Sequence, residues 1–177
     1  MAEEWNTCAS LADDASFSEA KTKYDSLLKE GKDPFSYMLQ MQYDLQKALY
    51  KRLPDQVKDV DSLETLGEKY EWLRDNKIAA DDEFAELIDS LPGMSNMSAK
   101  DRTSLWKKWK GKHKNVQAMK FSDLSIEDQK EAKFEMTDIF HFSTLNFLLG
   151  MNMTGEELFC YYYLKNAENH NRANSGY

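Results

Sequence analysis

Apolar residues recur at helical spacing along almost the whole chain, and capping and turn residues cut the pattern into segments. Phe17, Ala20, Tyr24, Leu27 and Leu28 mark a first helix that Gly31 ends. Asp33 as N-cap with Pro34 at the first helical position opens a second, which runs to about Leu53 on a stripe of Phe35, Met38, Leu39, Leu45 and Leu49. Asp61-Ser62-Leu63-Glu64 reads as a capping box for a helix that Leu63, Leu66, Tyr70 and Leu73 carry to about Asp75. A separate element follows from Asp81, buried through Phe84, Leu87, Ile88 and Leu91 and stopped by Pro92-Gly93. Residues 92 to 97 make a connection, and a short helix from Ser98 carries Trp106-Lys107-Lys108-Trp109-Lys110.

The longest pattern starts at the capping box Ser125-Ile126-Glu127-Asp128 and extends to Leu149, with Gly150 just past its end. Its second half, with Ile139, Phe140, Phe142, Leu145, Phe147, Leu148 and Leu149, is nearly all apolar, so this helix is expected to run through the middle of the protein. Thr154-Gly155-Glu156-Glu157 caps a last helix bearing Leu158, Tyr161, Tyr162 and Leu164. Beyond it, composition alone reads the polar stretch from Lys165 to Tyr177 as a frayed terminus. With three prolines, seven glycines and no strong strand signal, the expected class is all-α.

Length and charge narrow this further. The 177 residues argue for one domain, read as an arm over 1–15, a helical domain over 16–164 and a basic, Asn-rich tail over 165–177. Acidic side chains outnumber basic ones, 31 to 23, which argues against a protein whose main business is holding nucleic acid. Cys8 and Cys160 form no spaced cluster, so no zinc site or disulfide framework is expected and a reducing compartment fits. The start of the chain has no basic, apolar leader and no run approaches membrane-spanning length; a cytoplasmic protein is the expectation.

Two of the helices are unusual in their polar residues. Glu135, Asp138 and His141 stand at i, i+3 and i+6 within the apolar helix, and Glu83, Glu86 and Asp89 repeat the spacing upstream. Carboxylates on a buried helix are costly unless paired or bound to a cation. If the two helices are antiparallel neighbours, four carboxylates can converge, and Mg2+ suits such hard oxygen ligands. A di-iron bundle would need Glu-x-x-His on two helices, and no twelve-residue EF-hand loop occurs. Gln42 and Gln46 share one face of the second helix, where amides could meet a nucleobase edge; pattern alone favours solvent. The Trp106–Lys110 cluster could likewise bind nucleic acid or be a solvated face with tryptophans packed inward, and the latter is commoner.

Taken in order, Glu83-x-x-Glu86, Trp106 to Lys110, Glu135-x-x-Asp138-x-x-His141-Phe142, and Tyr163-Leu164-Lys165-Asn166-x-x-Asn169-x-x-Arg172 to Gly176-Tyr177 resemble the motifs of the all-α, dimeric-type dUTPases and the MazG-like nucleoside triphosphate pyrophosphatases. The resemblance covers about residues 34 to 177 and is nearest to the T-even-type phage enzymes that act on dCTP and dUTP. It implies a MazG-like helical bundle, a homodimer and Mg2+-dependent release of pyrophosphate. It implies that Glu83, Glu86, Glu135 and Asp138 hold the metal, with Glu83 taken as the residue that directs the attacking water. By the same resemblance Lys107, Lys110, Lys165 and Arg172 meet phosphate oxygens, Asn169 the deoxyribose and Gln42 the pyrimidine edge. Gln46, Trp106, Trp109, His141, Asn166 and Tyr177 complete the substrate-binding set. Gln46 stands where uracil-specific relatives have asparagine, and the stretch from Asp89 to Trp106 is longer than theirs. The alternatives are a house-cleaning pyrophosphatase for another nucleotide, or a catalytically silent subunit of a nucleotide-synthesis complex.

Overall fold

The computed structural model describes residues 13–91 and 120–175, and these are helical with no strand among them. The helices are α1 (Asp14–Lys29), α2 (Pro34–Arg52), α3 (Leu66–Ser90), α4 (Ile126–Phe140), α5 (Asn146–Gly150) and α6 (Gly155–Ser175). A π-helical turn, His141–Leu145, joins α4 to α5 without a break, so one helical stretch covers the expected span. The all-α expectation holds. No helix among the described residues is long and apolar enough to cross a membrane.

The helix ends follow local chemistry. Asp13 accepts from Ser16 N at 2.6 Å and caps α1, which begins inside the stretch read as an arm. At its far end Gly31, with φ +67°, closes a Schellman motif: Lys32 N donates to Leu27 O and Gly31 N to Leu28 O. Asp33 accepts from Phe35 N and Ser36 N, as its sequence predicts. The third helix departs from expectation twice. Asp61 does not cap it, because its carboxylate is taken by Lys47 and by the Tyr43 hydroxyl, and residues Val60–Ser62 form a 3-10 turn. Thr65 caps it instead, in a reciprocal box with Glu68. The helix then continues unbroken to Ser90, where two elements were expected, since nothing between Asp75 and Asp81 interrupts helical hydrogen bonding.

The described residues form two compact units: those up to Thr22 with Lys77–Phe142, and Lys23–Asn76 with those from Ser143 onward. The second unit has a core of Val60, Leu63 and Trp72, against which Tyr43, Leu73 and Leu149 pack, and Leu27, Leu145 and Leu148 are also buried. Lys47 bridges Asp59 at 2.6 Å and Asp61 at 2.8 Å, tying the 3-10 turn to α2. Gly150 is the last residue of its helix, not the one beyond it; the left-handed position falls to Asn152, φ +54°. Met153 N donates to Leu148 O and Asn152 N to Leu149 O, the same Schellman pattern.

Some members of the apolar stripes read from the sequence are exposed, while Phe35, Leu39 and Leu49 on α2, Leu87 and Ile88 on α3 and Leu91 just past its end are half-buried. Met38 and Leu45 of the α2 stripe are exposed, as is Met41 outside it, while Gln42 and Gln46 on the same helix are buried; Phe84 on α3 is exposed too. The terminal stretch is helical as far as Ser175, where α6 ends. Its start is docked on α2, where a Cβ on Gly155 would come within 2.9 Å of Ser36 Oγ. Phe159, Tyr161, Tyr162, Tyr163 and Leu164 are all about two-thirds exposed.

Candidate functional site

In the first unit, α3 and α4 bring Glu83, Glu86 and Glu135 together: one carboxylate oxygen from each lies within 4.8 Å of the others. The i, i+3 spacing puts Glu83 and Glu86 on one face of α3. Ala80 and Ala132, one turn before Glu83 and Glu135 on their respective helices, are buried, and such small side chains let helices approach closely. Glu135 is 7% exposed, Glu83 half-buried and Glu86 exposed. None of the three pairs with a lysine or arginine among the described residues, although an isolated buried carboxylate is costly.

The electrostatics record this. Burial, then the charges of Glu86 and Glu83, push the Glu135 carboxyl up to about 7. Burial and the charges of Glu86, Asp138 and Asp82 raise Glu83 as well. An anionic cluster short of positive charge and made of hard oxygen donors is suited to a divalent cation. Asp138 stands one turn after Glu135 and close enough to raise its proton affinity, but its oxygen is not among the converging three; it faces His141 Nδ1 at 3.3 Å. His141 begins the π-helical turn, a feature that recurs at functional sites.

The second unit holds the amides. Gln42 is 4% and Gln46 8% exposed, so the solvent position that pattern alone favoured is wrong for both: α2 turns these residues inward and its methionines outward. Gln42 Nε2 donates to Asn146 Oδ1 at 2.8 Å, Asn146 Nδ2 to Asn76 Oδ1 at 2.6 Å, and Asn76 Nδ2 to the Trp72 carbonyl at 2.8 Å. The Trp72 indole N–H in turn donates to the Asn146 carbonyl at 2.6 Å. Buried amides are tolerated where such partners exist. Gln46 has no side-chain hydrogen bond among the described residues. Sequence reasoning missed Asn76, Asn146 and Trp72; the available signal was a lone amide inside the apolar run Leu145-Asn146-Phe147-Leu148.

Lys165, Asn166 and Asn169 lie on α6 with exposed side chains, and the backbone of Arg172 continues that helix. Trp106, Lys107, Trp109, Lys110 and Tyr177 lie outside the described residues.

The chain is 41% identical over 173 residues to the dCTP pyrophosphatase of Enterobacteria phage T4, covering 98% of both chains. It is 42% identical over 173 residues to the dCTP pyrophosphatase of Enterobacteria phage LZ5, again covering 98% of each. A DNA replication protein of phage T4 is 41% identical over 162 residues, which are 92% of this chain but 40% of that protein. No protein-family profile matches the chain. No solved structure matches it.

Proposed function

Since the chain belongs to the bacteriophage dCTP pyrophosphatase family, we propose that it hydrolyses dCTP to dCMP and pyrophosphate, and dUTP to dUMP and pyrophosphate, removing dCTP from the nucleotide pool of an infected cell. The observation that carries this reading is the convergence of Glu83, Glu86 and Glu135 with no basic partner among the described residues. Mg2+ fits them, because it takes hard oxygen ligands and leaves positions for water and phosphate oxygens. Glu83, Glu86 and Glu135 would hold it, with Asp138 as a fourth carboxylate at the margin, and its charge would offset that developing on the phosphates.

Glu83 is the proposed group for directing the attacking water. A half-buried carboxylate beside the cation would hold a water molecule in one orientation and accept its proton. A water oxygen forms a bond to the α-phosphorus, its proton passes to the carboxylate, and the bond from the α-phosphorus to the bridging oxygen breaks to release pyrophosphate. Exposed Lys165 on α6, with Arg172, Lys107 and Lys110, is a proposed donor to phosphate oxygens, Asn169 the donor to the deoxyribose, and Asn166 a further substrate-binding residue. Gln42 and Gln46, buried amides on α2, are proposed to read the pyrimidine.

A homodimer is part of the same proposal. The outward Met38, Met41 and Leu45 and the exposed aromatic band of α6 are the kind of apolar surface that a second copy covers. The test is pyrophosphate release by purified protein from a panel of nucleoside triphosphates with Mg2+ added. Release from dCTP and dUTP is expected; no release from dCTP with any divalent cation would overturn the assignment.

A further inference from the structure

The three linked amides of the second unit have a direction, and it is set by one atom. A backbone carbonyl can only accept, so Asn76 must turn its Nδ2 toward the Trp72 carbonyl, 2.8 Å away. That leaves Asn76 Oδ1 facing Asn146, 2.6 Å away, and Asn146 must answer it with Nδ2. Asn146 Oδ1 then faces Gln42, which must present Nε2, at 2.8 Å. Each amide could lie either way round by shape alone, and the sequence of partners removes the choice at every step.

We propose that Asn146, backed by Asn76, is a positioning residue for base recognition: it fixes the Gln42 amide so that Oε1 is the atom left for the pyrimidine. The inference rests on the proposed reading of Gln42 as a base reader. All three amides are buried, at 4%, 1% and 9% exposure, so water does not compete for the links and the relay stays set. Gln42 Oε1 has no other hydrogen bond among the described residues. A fixed acceptor requires a donor from the base. Cytosine supplies one from its exocyclic amino group, and a pyrimidine with neither an amino group nor an N–H on that edge leaves Oε1 unpaired. Gln46, which is buried with no side-chain hydrogen bond among the described residues, has no such partner to set its amide one way round.

The probe is the 2-pyrimidinone deoxyribonucleoside triphosphate, which has an acceptor at N3 and no donor on the edge. Wild-type protein is expected to favour dCTP over it by at least about tenfold in kcat/KM, the scale of one buried unpaired group. In Asn146→Ala, Gln42 is free to turn Nε2 outward, and the preference should collapse to within a few-fold of unity. Asn146→Asp still offers Gln42 an acceptor and should keep the preference, although both variants lower Tm. A residue with a merely structural role would lower Tm in both and shift the preference in neither. Should Asn146→Ala not fold, Asn76→Ala removes the anchor to the carbonyl and is expected to weaken the preference in the same direction. Preference retained in the folded alanine variant overturns the inference. The reading beneath it is tested separately: if Gln42→Ala turns over dCTP as wild type does, the base site lies elsewhere and both ideas fail.

Discussion

The indole of Trp72 lies against Gly150 so closely that a methyl group on the glycine would sit 2.4 Å from Cδ1 and 2.8 Å from Nε1. The ring cannot easily retreat, because its N–H is held by the Asn146 carbonyl at 2.6 Å and its body fills the core with Val60 and Leu63. Gly150→Ala should therefore destabilise by about 1–3 kcal/mol, the usual range for overpacking. In a chain of this size that lowers Tm by roughly 2–4 °C for each kcal/mol. Thermal denaturation followed by circular dichroism checks it, and an unchanged Tm would show that the contact relaxes freely.

Stability of the metal-free protein should fall as pH rises through the window between the ordinary glutamate value and about 7. Glu135 binds its proton more tightly when folded than when unfolded, so within that window the folded state holds more protons and each step upward in pH favours unfolding. Glu83 is shifted in the same direction and adds to the trend. Mg2+ competes for the deprotonated groups, and its stabilising effect should grow across the same window. Melting curves between pH 5 and pH 8, with EDTA and with Mg2+, are the measurement; a metal-free Tm that rises with pH contradicts the sign.

Glu135→Gln separates catalysis from stability. The amide is nearly isosteric and carries no charge to repel Glu83 and Glu86, so the metal-free fold should melt at the same or a higher temperature above neutral pH. Turnover of dCTP should nevertheless drop by about a hundredfold or more with the loss of a ligand oxygen. Turnover within a few-fold of wild type at saturating Mg2+ would remove Glu135 from the site.

Ending the chain after Lys165 should cost activity far more than stability. Asn166 and Asn169 are exposed on α6 and contribute nothing to either buried core, so Tm should move by a degree or two at most. The loss of proposed donors to phosphate and sugar should raise KM for dCTP at least about tenfold. A truncated protein with unaltered kcat/KM would contradict this role.

Much of the fold was legible because helix ends are written in short-range chemistry: Asp33-Pro34, Ser125-x-x-Asp128 and Thr154-x-x-Glu157 all cap as their spacing implies. The carboxylates were legible because an acid in an apolar helix is conspicuous. Pattern alone put Gln42 and Gln46 in solvent because a polar pair at i, i+4 looks the same whether it faces water or a buried partner, and Asn146, the partner of Gln42, is over a hundred residues away. The π-helical turn hid that partner further. One surplus residue in His141–Leu145 shifts the register, so a 3.6-residue count along the chain does not predict which way Asn146 faces.

The last helix carries a gradient along its own length. Its first turn is capped by Thr154 and Glu157 and pressed against α2 at Gly155, whereas from Phe159 to Leu164 every side chain stands largely in water. A helix without a buried face keeps its backbone hydrogen bonds only by its own modest propensity. In heavy water the amides of residues 160–166 should exchange far faster in a lone copy than those around Leu145 and Leu148, which persist until the whole protein opens. Protection of the Tyr161–Tyr163 amides that grows with protein concentration would be the signature of a second chain lying on that band, read without any knowledge of catalysis.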